Sequence, residues 1–104
     1  MSAPKIGPVT WSVPALQEIV CRYYAVDRIE MLSGRGSADV LEAARVAMWL
    51  VRRHREMTYQ DIANVFARVS ANHAMIACQN VERRMASDGA FAADIAAMLH
   101  IVEG

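Results

Sequence analysis

The sequence has few of the residues that cross-link or interrupt a small fold. Of its 104 residues, two are cysteine, three are proline and five are glycine. Cys21 and Cys78 lie far apart and neither belongs to a CxxC pair, which excludes a disulfide framework and the spacing of a zinc ribbon. We expect two small buried thiols in a reducing compartment.

Long apolar runs are also missing. No run approaches the ~20 residues that a membrane-spanning helix needs. The first residues, MSAPKIGPVTW, contain one lysine and no apolar block, so we expect no signal peptide. These absences predict a cytoplasmic protein with no membrane partner. Apolar residues still make up 55% of the chain, which is enough for the core of one domain without a metal or a disulfide.

The chain has no net charge, since eleven basic residues balance eleven acidic ones. A neutral total argues against a nucleic-acid partner. The distribution is uneven, however, because residues 35–84 carry a net +3 and the rest carry −3. Ten of the eleven basic residues are arginine, whose planar fork suits phosphates and guanine edges. A GC-rich genome would produce the same excess over lysine.

Apolar residues recur at helical spacing through most of the chain, and no segment alternates with the period of a strand. The pattern predicts an all-α domain of about six helices over residues 13–104, after a flexible arm at residues 1–12. The predicted helices cover residues 13–23, 27–32, 38–54, 58–67, 70 to the SDG break at 87–89, and 90–102.

Helix starts and buried faces follow from the same reading. Ser37 and Ser70 are predicted N-caps, and Thr58 with Asp61 resembles a capping box. Trp49 is predicted to lie in the core, whereas Trp11 in the arm is a candidate interface anchor. The predicted buried faces include Tyr23 in the first helix, Val65 in the fourth and Ile76 in the fifth.

Residues 57–84, MTYQDIANVFARVSANHAMIACQNVERR, contain two helices with three or four residues between them. This arrangement is typical of a helix-turn-helix, in which the first helix braces the second and the second enters the major groove. The predicted DNA base contacts are Ser70, Ala71, Asn72 and His73. An asparagine can bond bidentately to adenine, a histidine can donate or accept at a base edge, and the N–H groups at a helix start favour a phosphate.

Side chains around this motif are predicted to contact the DNA backbone: Arg35, Arg45, Arg52, Arg53, Arg55, Thr58 and Arg68. The run RRHR at 52–55 has a second explanation, because the last turn of a helix favours cations. That preference accounts for one or two of the three arginines.

From about residue 19 to residue 94 the chain resembles, without gaps, the C-terminal DNA-binding domain of the bacterial replication initiator DnaA. The matching segments are EIVCRYYAVDRIEMLSG, EAARVAMWL, TYQDIANVF and IACQNVERR. The resemblance implies a Trp-repressor-like helical fold and double-stranded DNA as the partner. Arg52 falls on a position that is often basic in the family, and Arg45 lies one residue beyond a common family arginine.

The recognition turn departs from the family. The family reads glycine-glycine-arginine-aspartate-histidine-threonine-threonine, and none of the seven residues at 67–73 matches in register. The loop SGRGSAD retains only Arg35 of a basic loop that reaches the minor groove in the family. We therefore expect that recognition of the initiator's own DNA box is lost.

No enzyme is predicted. His54, His73 and His100 do not form a metal-ligand spacing with one another or with the cysteines. No carboxylate pair stands out, and no G-x-x-x-x-G-K-[ST] phosphate loop occurs. The sequence therefore predicts no catalytic residue, no metal and no cofactor.

Two functions remain open. The first is a small, sequence-specific transcription regulator, a stand-alone and phage-derived bacterial relative of DnaA that needs a homodimer, a second site or a protein partner for useful specificity. The arginines around the motif favour it. The second is a protein-interaction module that has lost DNA binding and acts on the replication or transcription machinery. The neutral charge and the missing basic loop favour it.

Overall fold

The computed structural model describes residues 11–68 and 70–103, and within these residues it contains helices and no strand. The prediction of an all-α domain with about six helices is confirmed. The helices are α1 (Val13–Tyr24), α2 (Arg28–Ser33), α3 (Ala38–Arg55), α4 (Tyr59–Val65), α5 (Ala71–Ser87) and α6 (Gly89–Glu103). Residues 1–10 of the predicted arm lie outside the described residues.

Side-chain caps begin five of these helices, including α6, where the Asp88 carboxylate accepts from the Phe91 N–H at 3.1 Å. The hydroxyl of Ser12 accepts a hydrogen bond from an N–H in the first turn of α1, and the carboxylate of Asp27 does the same for α2. The predicted cap Ser37 accepts from the Val40 N–H at the start of α3. Thr58 Oγ1 accepts from the Asp61 N–H at 3.1 Å and so begins α4. Each cap satisfies a backbone donor that has no partner within its helix.

Helix α3 is the centre of the fold, since α1, α2, α4 and α5 all pack against it. Nine of its 18 residues are buried. Trp49 is one of them, which confirms its predicted place in the core. Helix α6 covers parts of α1 and α5. Both thiols, of Cys21 and Cys78, are free and buried, as predicted.

The prediction of burial was wrong for three apolar residues. Tyr23 is 40% exposed, Val65 is 37% exposed and Ile76 is 51% exposed. In α5 the buried stripe consists of Ala74, Ala77, Cys78 and Val81. At about 100° per residue, Ile76 points well away from the middle of that stripe. In α1, Tyr24 rather than Tyr23 packs against the core, and the Tyr23 hydroxyl donates to Asp94 at 2.6 Å.

Helix α4 ends in a Schellman motif that sets the path of the chain toward α5. The Arg68 N–H donates to the Ala63 carbonyl at 2.8 Å, and the Ala67 N–H donates to the Asn64 carbonyl at 3.3 Å. This pairing requires a left-handed residue, and Ala67 supplies it with φ +54°. Glycine is the usual residue here because it has no Cβ. The Phe66 side chain beside it is fully buried and anchors the motif.

One polar side chain in the core connects α1 to the end of α4. Gln17 is 1% exposed. Its Nε2 donates to the Val65 carbonyl at 3.2 Å, and its Oε1 accepts from Arg28 Nε at 2.8 Å. A buried amide is stable only when its donors and acceptors are paired. Gln17 therefore holds the first helix, the second helix and the Schellman motif together.

Trp11 joins the described start of the chain to its last helix. Its Nε1 donates to the Val102 carbonyl at 3.1 Å, and its own carbonyl accepts from Arg55 at 3.2 Å. Among the described residues, no single helix has the length and apolar character to cross a membrane. Helices α5 and α6 meet those two criteria only as a pair, and the chain bends by 116° between them.

Candidate nucleic-acid interface

The start of α5 lies at the surface. Asn72 and His73 are exposed, whereas Ser70 and Ala71 are half-buried. Ser70 occupies the N-cap position with an extended backbone, as predicted, but its side chain accepts no hydrogen bond from α5. Its carbonyl accepts from the His73 N–H at 3.1 Å. The N-terminal end of α5, with its positive dipole, is therefore not neutralised by its own cap.

A groove of about 280 Å³ lies beside this helix start, between α3 and α5. Its basic residues are Arg45 of α3, Arg68 of the turn and His73 of α5. The remaining lining residues are apolar: Gly34, Leu41, Ala44, Met48, Ile76 and Ala77. None of these lining residues is acidic. The fold thus brings three predicted contact residues from separate segments to one surface of positive charge.

Arg68 is built into the turn and does not extend freely from it. Its guanidinium donates to the Phe66 carbonyl at 2.7 Å and to the Met31 carbonyl at 3.5 Å. Burial lowers the pKa of this arginine, yet an arginine remains charged at neutral pH. Arg68 therefore stabilises the turn between α4 and α5 and contributes a fixed positive charge to the groove.

Arg52 and Thr58 lie together where α4 begins. The Arg52 guanidinium donates to the Met57 carbonyl at 2.7 Å and stacks over the Tyr59 ring, 3.9 Å from its centroid. The side chain is exposed. Its position is thus fixed by one hydrogen bond and one cation–π contact, while other guanidinium N–H groups remain available to a phosphate.

Arg53 and Arg55 are turned toward the ends of the chain. Arg53 Nε pairs with Glu103 at 2.8 Å, and this pairing raises the pKa of Arg53 and lowers that of Glu103. His54 Nε2 lies 2.9 Å from the same carboxylate. Arg55 donates to the Trp11 carbonyl. The structure therefore gives both arginines contacts with other parts of the fold, away from the groove at the start of α5.

Arg35 lies in the loop between α2 and α3, and its side chain is exposed. The loop is fixed locally, since the Arg35 N–H donates to Ser33 Oγ at 3.2 Å. Gly34 ends α2 with φ +80° and also lines the groove. Arg35 is thus the next residue in the chain after Gly34, which lines the groove. None of the ion pairs in the described part of the chain involves Arg35, Arg45 or Arg52.

Two residues of this region were not singled out as site residues from the sequence. Gln17 supports the turn from within the core. Its place as a polar residue inside the apolar stripe of α1 was the sequence signal that could have identified it. Ile76 lines the groove, but its apolar character and helical spacing suggested burial. Within the described residues, no group of three histidine, cysteine, aspartate or glutamate side chains lies close enough to hold a metal ion.

The six-helix arrangement, with α4 and α5 joined by a tight turn and the start of α5 at the surface, defines a helix-turn-helix domain. The family model described as the bacterial dnaA protein helix-turn-helix matches residues 13–81. The chain belongs to this family, and membership supports DNA binding. The resemblance found in the sequence is thereby confirmed.

Chromosomal replication initiator proteins DnaA are among the relatives of this chain. The protein from Chromobacterium violaceum is 28% identical over 91 residues, which cover 88% of this chain and 20% of that protein. The protein from Methylobacillus flagellatus is 25% identical, covering 88% of this chain and 19% of that protein. The protein from Sphingopyxis alaskensis is 29% identical over 87 residues, covering 84% and 19%. The chain spans about a fifth of the length of these relatives.

Proposed function

We propose that this chain binds double-stranded DNA through its helix-turn-helix and acts as a small, sequence-specific regulator of transcription. One observation carries the proposal: the exposed start of α5 stands beside a groove whose polar lining residues, Arg45, Arg68 and His73, are all basic. Membership of a family whose curated relatives are replication initiators supports DNA as the ligand. The role in transcription is part of the proposal.

In this proposal Asn72 and His73 read base edges, with Ser70 and Ala71 close to the bases. Asparagine presents a donor and an acceptor to adenine, and the imidazole of His73 donates or accepts at a base edge. The first N–H groups of α5 face a phosphate, for which the helix dipole is favourable. Recognition of bases is thereby assigned to four consecutive residues on one helical turn.

Contacts with the DNA backbone are assigned chiefly to Arg35, Arg45 and Arg52, whose side chains take part in no ion pair of the described residues. Thr58 adds a hydroxyl beside Arg52. Arg53, Arg55 and Arg68, bound to other groups of the fold, contribute mainly to the local potential. About three neutralised phosphates give a slope of log affinity against log salt of about −2.7, and affinity falls about 40-fold between 50 and 200 mM salt.

Titration of the protein with duplex DNA at several salt concentrations tests the backbone contacts. Arg45→Ala should reduce the loss over this salt range to about 12-fold, because one phosphate contact is removed. Arg53→Ala carries the same charge change, but its side chain pairs with Glu103, so it should retain the 40-fold loss. Equal slopes for the two variants would contradict the assignment of Arg45.

The base contacts are tested with a preferred site selected from a random duplex pool. Asn72→Ala and His73→Ala should weaken binding to the selected site more than to random DNA. Arg52→Ala should weaken both alike, since a phosphate contact carries no sequence information. Arg22→Ala is the matched control, because this exposed arginine lies on α1 and pairs with Glu18. The assigned roles would be refuted if the Asn72, His73 and Arg52 variants all lost the same affinity for the selected site relative to random DNA.

A protein-interaction module is the competing function. The specific observation in its favour is that Arg53, Arg55 and Arg68 all donate to other groups of the fold, which leaves fewer cations for DNA. Failure of the wild-type protein to retain any duplex DNA at 50 mM salt would overturn the regulator and support this alternative.

A further inference from the structure

Ile76 exposes an apolar side chain on the surface that the proposed function assigns to DNA. It is 51% exposed, and it lines the groove together with His73 and Arg45. In an α-helix, residues three apart lie on the same side, one above the other. Ile76 therefore stands directly behind His73 on the face that would enter a major groove.

The surroundings of Ile76 identify the kind of partner. Arg45, Arg68 and His73 surround the same groove, and none of its lining residues is acidic. An apolar protein surface docking here would remove the two arginine cations from water without compensation. A DNA duplex supplies compensating phosphates. The major groove also presents one apolar group, the 5-methyl group of thymine, which isoleucine can contact.

The helix geometry fixes the relation between Ile76 and His73. Three residues advance about 4.5 Å along a helix axis, and successive base pairs are spaced by about 3.4 Å. A helix that lies along the major groove and places His73 at one base edge therefore brings Ile76 to the height of a neighbouring base pair. Its β-branched side chain has one strongly preferred rotamer in a helix, so its position at the groove is well defined.

On the basis of the proposed function, we infer that Ile76 is a specificity residue that packs against a thymine methyl group one base pair from the base that His73 contacts. The preferred site then contains an A·T pair at that position. The contact adds shape-dependent selection to the hydrogen bonds of Asn72 and His73. The contact also explains why Ile76, a large apolar residue, is exposed on α5 and does not belong to its buried stripe.

Single-methyl substitution in the DNA tests this inference. Each thymine of the selected site is replaced in turn by uracil, which removes the 5-methyl group and keeps the pairing edge. For the wild-type protein, one replacement should weaken binding about fourfold, as expected for one methyl-sized group returned to water. For Ile76→Ala, the same replacement should have no effect, because the partner of the methyl group is gone.

Two controls make the result specific. Ile101→Ala removes a similarly exposed isoleucine, 56% exposed, from α6, and it should retain the full sensitivity to uracil. Circular dichroism of each variant establishes that the helices are intact.

The inference and the proposed function fail in different ways. If no thymine shows a methyl effect that depends on Ile76, while Asn72→Ala and His73→Ala still change the site preference, the role of Ile76 is refuted and DNA recognition stands. If the wild-type protein retains no duplex DNA at low salt, the proposed function is refuted and this inference with it.

Discussion

The left-handed alanine between α4 and α5 allows a quantitative test of the fold. Ala67 has φ +54° at the position of the Schellman motif that glycine usually occupies. A residue with a Cβ loses roughly 1–2 kcal/mol in this conformation. Replacement by glycine removes that strain. It also gives the unfolded chain more conformational freedom, which stabilises the unfolded state by roughly 0.5–1 kcal/mol.

The difference predicts that Ala67→Gly is more stable than the wild type by about 0.5–1 kcal/mol. The Ala67 side chain is exposed, so little packing is lost with its methyl group. For a domain of this size, the midpoint of thermal unfolding should rise by about 2–8 °C. Urea unfolding followed by circular dichroism at 222 nm measures the change, and the denaturant slope should remain the same.

A second alanine-to-glycine variant provides the control. Ala96 is exposed in the middle of α6, where the backbone is right-handed and glycine is less favourable by about 1 kcal/mol. Ala96→Gly should therefore be less stable than the wild type. The reasoning is refuted if Ala67→Gly is no more stable than the wild type while Ala96→Gly shows its expected loss, since the strain assigned to Ala67 would then not exist.

Four further results are expected. Phe66→Ala should destabilise the domain by about 3–5 kcal/mol, measured by urea unfolding, because it empties a fully buried site beneath the turn; a loss below 1 kcal/mol would contradict that burial. Gln17→Leu should cost about 1–3 kcal/mol by the same assay, since the Val65 carbonyl and the Arg28 Nε lose a buried partner, and an equally stable variant would show that this pairing is unimportant. Burial raises the pKa of Glu42, but the Arg84 guanidinium at 2.6 Å, together with Tyr24 and the charge of Arg45, outweighs burial and holds that pKa below its ordinary value of 4.5. The stability that Glu42 contributes is thus present above pH 4.5 and is lost as the pH falls through the lowered pKa. Wild type and Glu42→Gln should therefore converge in unfolding free energy on acidification, and a constant difference would be inconsistent with this ion pair. Burial also raises the pKa of Cys78 to about 11, so a thiol reagent at pH 8 should modify Cys78 only as fast as the protein unfolds, and rapid modification of the folded protein would show that the thiol is accessible.

The short-range features of the domain could be predicted from the sequence because they depend on neighbouring residues. Helical spacing predicted all six helices, with ends that agree within about two residues. Ser37 and Thr58 were identifiable as caps because a cap bonds to a backbone N–H three residues away. The segments shared with DnaA indicated the family because they preserve the order of buried and exposed positions along these helices, and this order is also visible in the sequence.

The assignment of individual side chains to the candidate interface depended on the tertiary structure. In sequence, Arg52, Arg53 and Arg55 form one basic cluster, yet Arg53 pairs with Glu103, 50 residues away, and Arg55 binds the Trp11 carbonyl 44 residues away. No local pattern encodes such pairs, because they form only when helices distant in sequence are packed together. The sequence by itself determined the six helices, the caps Ser37 and Thr58, and the family. Packing around α3 decided which arginines remain available for DNA, and the position of the α5 stripe left Ile76 exposed beside His73.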